Sequence, residues 1–273
     1  MSGPEDSPLG RPAAYPDRYA PELLFPIERA PGRSALGLTG ALPFSGADLW
    51  TAYELSWLDP RGKPEVAIAR FRVPAGSPRI VESKSLKLYL NAFSQSPFDS
   101  AAAVERTIAA DLARAFGAGV AVELAGPGRF GEWKLAELEG EGIDDLAVEV
   151  ADYAPCADLL AAAGAAVEES LVSHLFKSNC PVTGQPDWAS VQVRYRGPRV
   201  DRAGLLRYLV SYRQHAGFHE HCVERMFVDL RERCRTERLT VYARFTRRGG
   251  IDINPFRSDW ELPPRTCART ARQ

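Results

Sequence analysis

Hydrophobic and polar residues alternate over positions 49–58 and again over 65–73, with Asp59-Pro60-Arg61-Gly62 between them. A period of two turns one face of a strand toward a core, and Asp, Pro and Gly together are turn chemistry. The pattern therefore predicts two strands joined by a turn. The period then lengthens. Apolar positions recur three and four apart over about 85–93 and about 100–116, which predicts two helices, the second closed by Gly117 as its C-cap. Positions 120–124 read as another strand. The second half repeats this order, with strands over 168–176 and 189–195, helices over 201–215 and 220–234, and a strand rich in β-branched and aromatic residues over 239–246. Residues 1–48 hold many Pro and Gly and little periodicity, and are expected to lie on the core as an extended arm.

The halves also match residue by residue. At a constant spacing of 119, Leu86, Tyr89, Leu90 and Gln95 correspond to Leu205, Tyr208, Leu209 and Gln214. Val104-Glu105-Arg106 corresponds to Val223-Glu224-Arg225 at the same spacing, and upstream Arg70-Phe71-Arg72 echoes Arg194-Tyr195-Arg196. Matched residues in a matched order of elements mark one strand–strand–helix–helix–strand module used twice. The expected organisation is an arm over 1–48, a first module over 49–150, a linker over 151–167 and a second module over 168–273. The fold class is α+β, each module having antiparallel strands with a pair of helices on one face. The halves diverge at two places. The short Asp-Pro-Arg-Gly turn is replaced by the longer Lys177-Ser178-Asn179-Cys180-Pro181-Val182-Thr183-Gly184-Gln185-Pro186-Asp187, and Asp99-Ser100-Ala101-Ala102 stands opposite Phe218-His219-Glu220-His221.

Composition narrows the function classes. A chain of 273 residues, 45% hydrophobic and 25% charged, suits one large domain or two of ordinary size. A net charge of −1 argues against a general nucleic-acid binder and leaves room only for a local phosphate site in the Arg-rich C-terminal stretch. No apolar run approaches the roughly 18 residues of a membrane span, and residues 1–10 lack the apolar core of a signal peptide. No membrane association and a cytoplasmic location are expected. Five cysteines, widely spaced and without a Cys-x-x-Cys, argue against a disulfide framework.

Four segments carry candidate chemistry. Cys180 stands among two prolines and a glycine. Lys177 can favour its thiolate, the reactive form, and Asp187 can fold back as a proton carrier; a silent thiol is the alternative. Phe218-His219-Glu220-His221-Cys222 opens a helix, where a carboxylate gains about 0.3–1 kcal/mol from the helix dipole without any further role. His219, His221 and Cys222 with Cys180 also offer zinc ligands. Positions i and i+2 of a helix point to different faces, however, and no His-Glu-x-x-His is present, so no metal is expected. Glu82-Ser83-Lys84-Ser85-Leu86-Lys87-Leu88-Tyr89 is a helix start, with Ser83 or Ser85 as candidate cap. Thr246-Arg247-Arg248-Gly249-Gly250 sets two arginines beside two glycines, which suits either a phosphate or a plain basic turn. No Gly-x-Gly-x-x-Gly follows a strand and opens a helix, so a nicotinamide cofactor would bind without a Rossmann unit.

Together, the Glu82–Tyr89 motif, the Cys180–Asp187 segment, Phe218-His219-Glu220 and Asp252-Ile253-Asn254-Pro255 resemble the 7-cyano-7-deazaguanine reductases of queuosine biosynthesis, the QueF family. The likeness covers nearly the whole chain, including Tyr15-Pro16-Asp17-Arg18-Tyr19 in the arm, and is to the long form with two tunnelling-fold modules in tandem. It implies NADPH-dependent reduction of a nitrile to a primary amine. Cys180 is implied as the nucleophile that forms a covalent thioimide, Asp187 as proton donor, and His219 as the group that orients the reactants and assists proton movement. Val81, Glu82, Ser83, His219 and Glu220 are implied as substrate contacts, with Glu220 first and Glu82 second as the carboxylate for two ring N–H donors. Ser83, Lys84, Arg248 and Gly249 are implied as NADPH contacts, and a homodimer as the assembly. His221 stands where a neutral polar residue is usual and is read as a surface detail. Two alternatives share the fold: a zinc-dependent hydrolase akin to the GTP cyclohydrolases, and a non-catalytic purine- or pterin-binding module.

Overall fold

A computed structural model describes residues 16–265 and 268–273; residues 1–10, Tyr15 and Cys267 therefore lie outside the described part. The chain is α+β. In order, its elements are β1 (Pro26–Glu28), α1 (Ala30–Ser34), β2 (Ser45–Leu58), β3 (Pro64–Pro74), β4 (Arg79–Val81), α2 (Ser83–Asn91), α3 (Ala101–Phe116), β5 (Ala121–Ala125), β6 (Glu141–Gly142), β7 (Ala162–Asn179), β8 (Pro186–Val200), α4 (Arg202–Ser211), α5 (His219–Cys234), β9 (Arg238–Phe245) and β10 (Ile251–Ser258). Packing divides it into two units that interleave in sequence. One comprises the described residues up to Pro31 with Asp48–Lys134 and Arg247–Ile253, and the other Gly32–Ala47, Leu135–Thr246 and Asn254–Gln273.

In the first unit β5, β3 and β2 are neighbours, and β3 pairs antiparallel with β5 with Phe71 opposite Val122. Ala67, Ala69, Phe71 and Val73 form the inward face at the expected period of two. Against them pack Leu86 and Tyr89 of α2 and Val104, Ile108, Leu112 and Phe116 of α3, spaced three and four apart. Ser100 caps α3 by accepting from the Ala103 N–H, and Gly117 ends it at φ 72°, a left-handed position that glycine adopts at little cost. The arm is fastened rather than loose. β1 pairs with β4, the Asp17 carbonyl accepts from the Gln95 N–H at 2.8 Å, and Tyr19 sets its ring edge-on to Phe93 at 5.4 Å.

In the second unit β9, β8 and β7 are antiparallel neighbours, β6 adds to β7 by a short parallel pairing, and β10 pairs with β9. Three features depart from the sequence reading. β7 and β8 are longer than predicted, because the small residues at the start of β7 are mostly exposed and carry no alternation. Asn179 consequently pairs with Pro186, the loop shrinks to 180–185, and Asp187 stands on β8 opposite Ser178. β10 is a separate strand that the sequence pattern does not predict. All eight of its residues are buried, and its polar members are satisfied by partners: Asp252 by the Tyr53 hydroxyl, Asn254 by the Phe245 N–H and Arg257 by Glu224. A strand buried on both faces shows no alternation to read.

Positions 119 apart also share polar detail. In the first unit the buried Tyr89 hydroxyl donates to Asp111 at 2.7 Å and joins α2 to α3; in the second, Tyr208 donates to Asp229 at 2.7 Å and joins α4 to α5. The caps match as well. Glu82 accepts from the N–H groups of Lys84 and Ser85 at 2.7 and 2.8 Å, and Asp201, its repeat partner, accepts from Ala203 and Gly204, both at 3.2 Å. The cap of α2 is therefore Glu82, not Ser83 or Ser85.

Tyr208→Phe should leave the Asp229 carboxylate and the Tyr212 hydroxyl each short of a buried partner, at a cost of about 1–3 kcal/mol. For a chain of this size that corresponds to a fall in Tm of roughly 2–10 °C. Thermal unfolding followed by circular dichroism checks it, and an unchanged Tm would mean that the tyrosine tie carries no stability.

Candidate active site

The longer β7–β8 connection is a closed turn. The Cys180 N–H donates to the Gln185 carbonyl at 2.8 Å and the Gly184 N–H to the Cys180 carbonyl at 3.0 Å, with Gly184 at φ 69°. Cys180 is 4% exposed. The strand before it is tied to the segment that enters α5: the Asn179 N–H donates to the His215 carbonyl at 2.8 Å, and the Gly217 N–H to the Asn179 carbonyl at 3.0 Å. Those two backbone bonds bring residues far apart in sequence into one cluster.

His219 Nε2 lies 3.3 Å from Asp187 Oδ2. Its ring is stacked flat on Phe245, with centroids 3.7 Å apart and planes at 4°. Nδ1 is buried without a hydrogen-bond partner. An imidazole nitrogen can donate to a carboxylate oxygen, or accept from a protonated acid, across this separation. Such a pair can give or take a proton without moving. Glu220 sits in the first turn of α5, 3% exposed, and no side chain caps that turn at Phe218. The helix thus brings the positive end of its dipole to the cluster. Cys222 completes it. Burial pushes its thiol up to about 12, and the carboxylates of Asp187 and Glu220 add to the rise.

Other expected participants lie elsewhere. The Lys177 ammonium donates to Asn179 Oδ1 at 2.6 Å and to the Arg213 carbonyl at 2.8 Å, so it braces the hairpin instead of facing the thiol. His221 is not a surface detail: it is half-buried, lies over Gly32 and sets its ring edge-on to Phe218. His219 and His221 point to different surroundings, as their spacing predicted. Among the described residues no three His, Cys, Asp or Glu side chains gather as a metal-ligand set. Val81 ends β4 and is buried. Ser83 Oγ lies 3.4 Å from Glu82 Oε1 in the first turn of α2.

The first unit has a cavity of about 260 Å³ that brings Lys84 together with Gly249, two of the four residues expected at NADPH. The Arg248 N–H donates to the Ile251 carbonyl at 3.0 Å and closes a turn in which Gly249 and Gly250 have φ of 60° and 75°. Two left-handed residues in succession favour glycine, and Lys87 and Glu54 lie where side chains at Gly249 and Gly250 would stand. Lys84 and this turn have the donors that a phosphate needs, so the residues fit NADPH. Ser83 and Arg248 do not line the cavity.

Sequence reasoning missed Phe245 and Lys87. Phe245 is an inward position of β9 indistinguishable by pattern from a core residue. Lys87, one turn beyond Lys84 on α2, lines the same cavity.

The raised thiols predict a labelling pattern. Cys222, at about 12, and Cys234, at about 11, are both pushed up chiefly by burial and stay protonated at pH 8 in the native protein. Iodoacetamide at pH 8 should leave both unmodified, with labelling appearing only above about pH 10 or on unfolding. Peptide mapping reads this out, and prompt native labelling of Cys222 would contradict its burial.

A family model described as nitrile reductase, 7-cyano-7-deazaguanine-reductase N-term, matches residues 15–124, and one described as QueF-like protein matches residues 186–263. Curated relatives carry the name NADPH-dependent 7-cyano-7-deazaguanine reductase. The protein of Bordetella pertussis is 60% identical over 269 residues, 98% of each chain. That of Burkholderia multivorans is 57% identical over 272 residues, 99% of each chain. That of Azoarcus sp. is 61% identical over 259 residues, 94% of this chain and 92% of its own. With such identity sustained from end to end, this chain belongs to the family of NADPH-dependent 7-cyano-7-deazaguanine reductases.

Proposed function

We propose that this protein reduces the nitrile of 7-cyano-7-deazaguanine to the 7-aminomethyl group, with NADPH, in queuosine biosynthesis. The observation that carries the reading is the Asp187–His219 pair, 3.3 Å apart at the base of the hairpin that carries the buried Cys180 and is tied to residues 215–217 by the Asn179 backbone bonds. A nitrile is a poor hydride acceptor. Addition of the Cys180 sulfur to its carbon forms a C–S bond and leaves a thioimide, whose C=N accepts hydride readily. The thiol proton passes to the Asp187–His219 pair as sulfur attacks, and the pair returns it to the nitrile nitrogen, where charge builds. Two molecules of NADPH would each supply one hydride to the former nitrile carbon, and with each a proton from solvent would reach the nitrogen through the Asp187–His219 pair. Between the two hydride transfers the C–S bond breaks and Cys180 takes its electron pair and a proton back. Phe245, stacked beneath His219, fixes the ring so that Nε2 keeps facing Asp187.

Glu220 is the carboxylate that accepts the two adjacent ring N–H groups; each charge-assisted bond contributes about 1.5–3 kcal/mol. Val81, Glu82 and Ser83 contribute to substrate recognition, and Ser83, Lys84, Arg248 and Gly249 to NADPH, as the family likeness implies. The same likeness supports tandem tunnelling-fold modules, a homodimer and a cytoplasmic location. Among the described residues no helix is long and apolar enough to cross a membrane.

Mixing the protein with 7-cyano-7-deazaguanine alone should raise its intact mass by the mass of the substrate, and Cys180→Ala should abolish the increase. A folded protein that gives no adduct, and no loss of NADPH absorbance once cofactor is added, would sink the reading. Asp187→Asn should still bind substrate yet lose at least about a hundredfold in turnover. Glu220→Gln should weaken substrate binding by about tenfold or more; unaltered affinity measured by calorimetry would move the ring-pairing role to Glu82.

A further inference from the structure

Side chains, not a strand, complete the main chain of Phe245. The described pairing of β9 with β10 stops at Tyr242 opposite Phe256, before Phe245 is reached. The Phe245 N–H donates instead to Asn254 Oδ1 at 3.1 Å, and its carbonyl accepts from Gln273 Nε2 at 2.9 Å. Gln273 Nε2 also donates to Asn254 Oδ1 at 2.8 Å, while Gln273 Oε1 accepts from the Thr270 N–H at 3.1 Å. The amide has an acceptor for each of its N–H bonds and a donor for its oxygen, so its orientation is fixed. Gln273 and Asn254 are both buried. The segment is tied at the preceding residues as well. The Ala271 N–H donates to Glu137 Oε1 at 2.8 Å, and Arg272 Nη1 donates to the His174 carbonyl at 2.7 Å. The Arg272 guanidinium also lies over the ring of Trp188, which follows Asp187 and whose carbonyl accepts from the Thr246 N–H at 2.8 Å.

We propose that Gln273 is a positioning residue for nitrile reduction: its amide holds the main chain of Phe245, and Phe245 in turn holds the imidazole of His219. This role rests on proton transfer by the Asp187–His219 pair. The two rings are stacked at 3.7 Å with planes at 4°, so a shift of Phe245 along or out of the sheet displaces or tilts the imidazole. Nε2 and Asp187 Oδ2 stand 3.3 Å apart, already at the long end of an N–H···O contact, which leaves little tolerance for further separation. A buried carbonyl without a donor is costly, so the Phe245 main chain stays where the amide is. Packing of the ring alone would supply no such directional hold.

Gln273→Met keeps the length of the side chain and removes its amide. In protein shown to be folded by circular dichroism, kcat should fall at least about tenfold while KM for 7-cyano-7-deazaguanine stays within about twofold. Phe245→Leu should show a similar loss. In the Phe245→Leu background Gln273→Met should cost nothing further, because the amide acts through that ring. Gln273→Glu tests the same bond should the methionine variant not fold. A neutral carboxyl can still donate its O–H to the Phe245 carbonyl and an ionised one cannot, so kcat of this variant relative to wild type should fall as pH rises. An unchanged kcat, equal losses in the two backgrounds, or a ratio for Gln273→Glu that does not vary with pH would overturn the proposal. The covalent adduct with nitrile substrate needs no cofactor. If wild type forms it and Gln273→Met turns over like wild type, only the role of Gln273 fails; if folded wild type forms none, the underlying reading fails.

Discussion

Two backbone hydrogen bonds at Asn179 hold the candidate active site together. They fasten the end of β7 to the segment 215–217, and β7 carries the cysteine turn while that segment leads into α5. Without them Asp187 and His219 would ride on elements that share a core but no fixed register. With them, the first turn of α5 must start beside the β7–β8 hairpin, and the 3.3 Å approach of His219 to Asp187 follows. Backbone bonds suit this task because they do not vary with the side chain, and they fix a position to within tenths of an ångström. The cysteine turn closes on itself in the same way, through the bonds of the Cys180 N–H to Gln185 and of the Gly184 N–H to Cys180.

Farther along, α5 is held by charge. Glu224, one turn beyond Glu220, accepts from Arg33 at 2.8 and 3.0 Å and from Arg257 at 2.9 and 3.2 Å, and Glu224 and Arg257 are fully buried. A buried ion pair adds little net stability, since desolvation opposes attraction, but it is directional and penalises other registers heavily. It fixes the rotation of α5, and hence which side of its first turn carries Glu220. Arg33 comes from the segment read as an arm on the core. That segment therefore does more than cover apolar surface: it supplies one half of the clamp.

The fold was legible where the chain obeys a period. The paired helices and the Gly117 cap follow from spacing alone, and the 119-residue register reappears as the two tyrosine–aspartate ties and the Glu82 and Asp201 caps. Legibility failed where burial is two-sided or partners are distant. β10 reads as polar because Asp252, Asn254 and Arg257 find buried partners far away in sequence, and nothing local announces them. Lys177 illustrates the opposite error. Proximity in sequence suggested a cation for the thiol, yet alternation along β7 and the Asn179 side chain direct its ammonium to the Arg213 carbonyl. Cys180, Asp187, His219 and Glu220 were legible as site candidates because they occupy the two segments where the repeat breaks.

The same repeat separates Glu82 from Glu220. Glu82 has both oxygens engaged by the N–H groups that open α2, and Asp201, at the matched position of the other module, does the same for α4, where no chemistry is implied. A group that recurs in both copies with one bonding pattern serves the scaffold first. Glu220 has no such counterpart: the matched helix, α3, is capped by the Ser100 hydroxyl, whereas α5 begins without a side-chain cap. A carboxylate in the first turn of a helix faces the positive end of its dipole. Glu220 therefore stands outside the capping pattern that both copies share, and its charge acts with that of Asp187 on the Cys222 thiol.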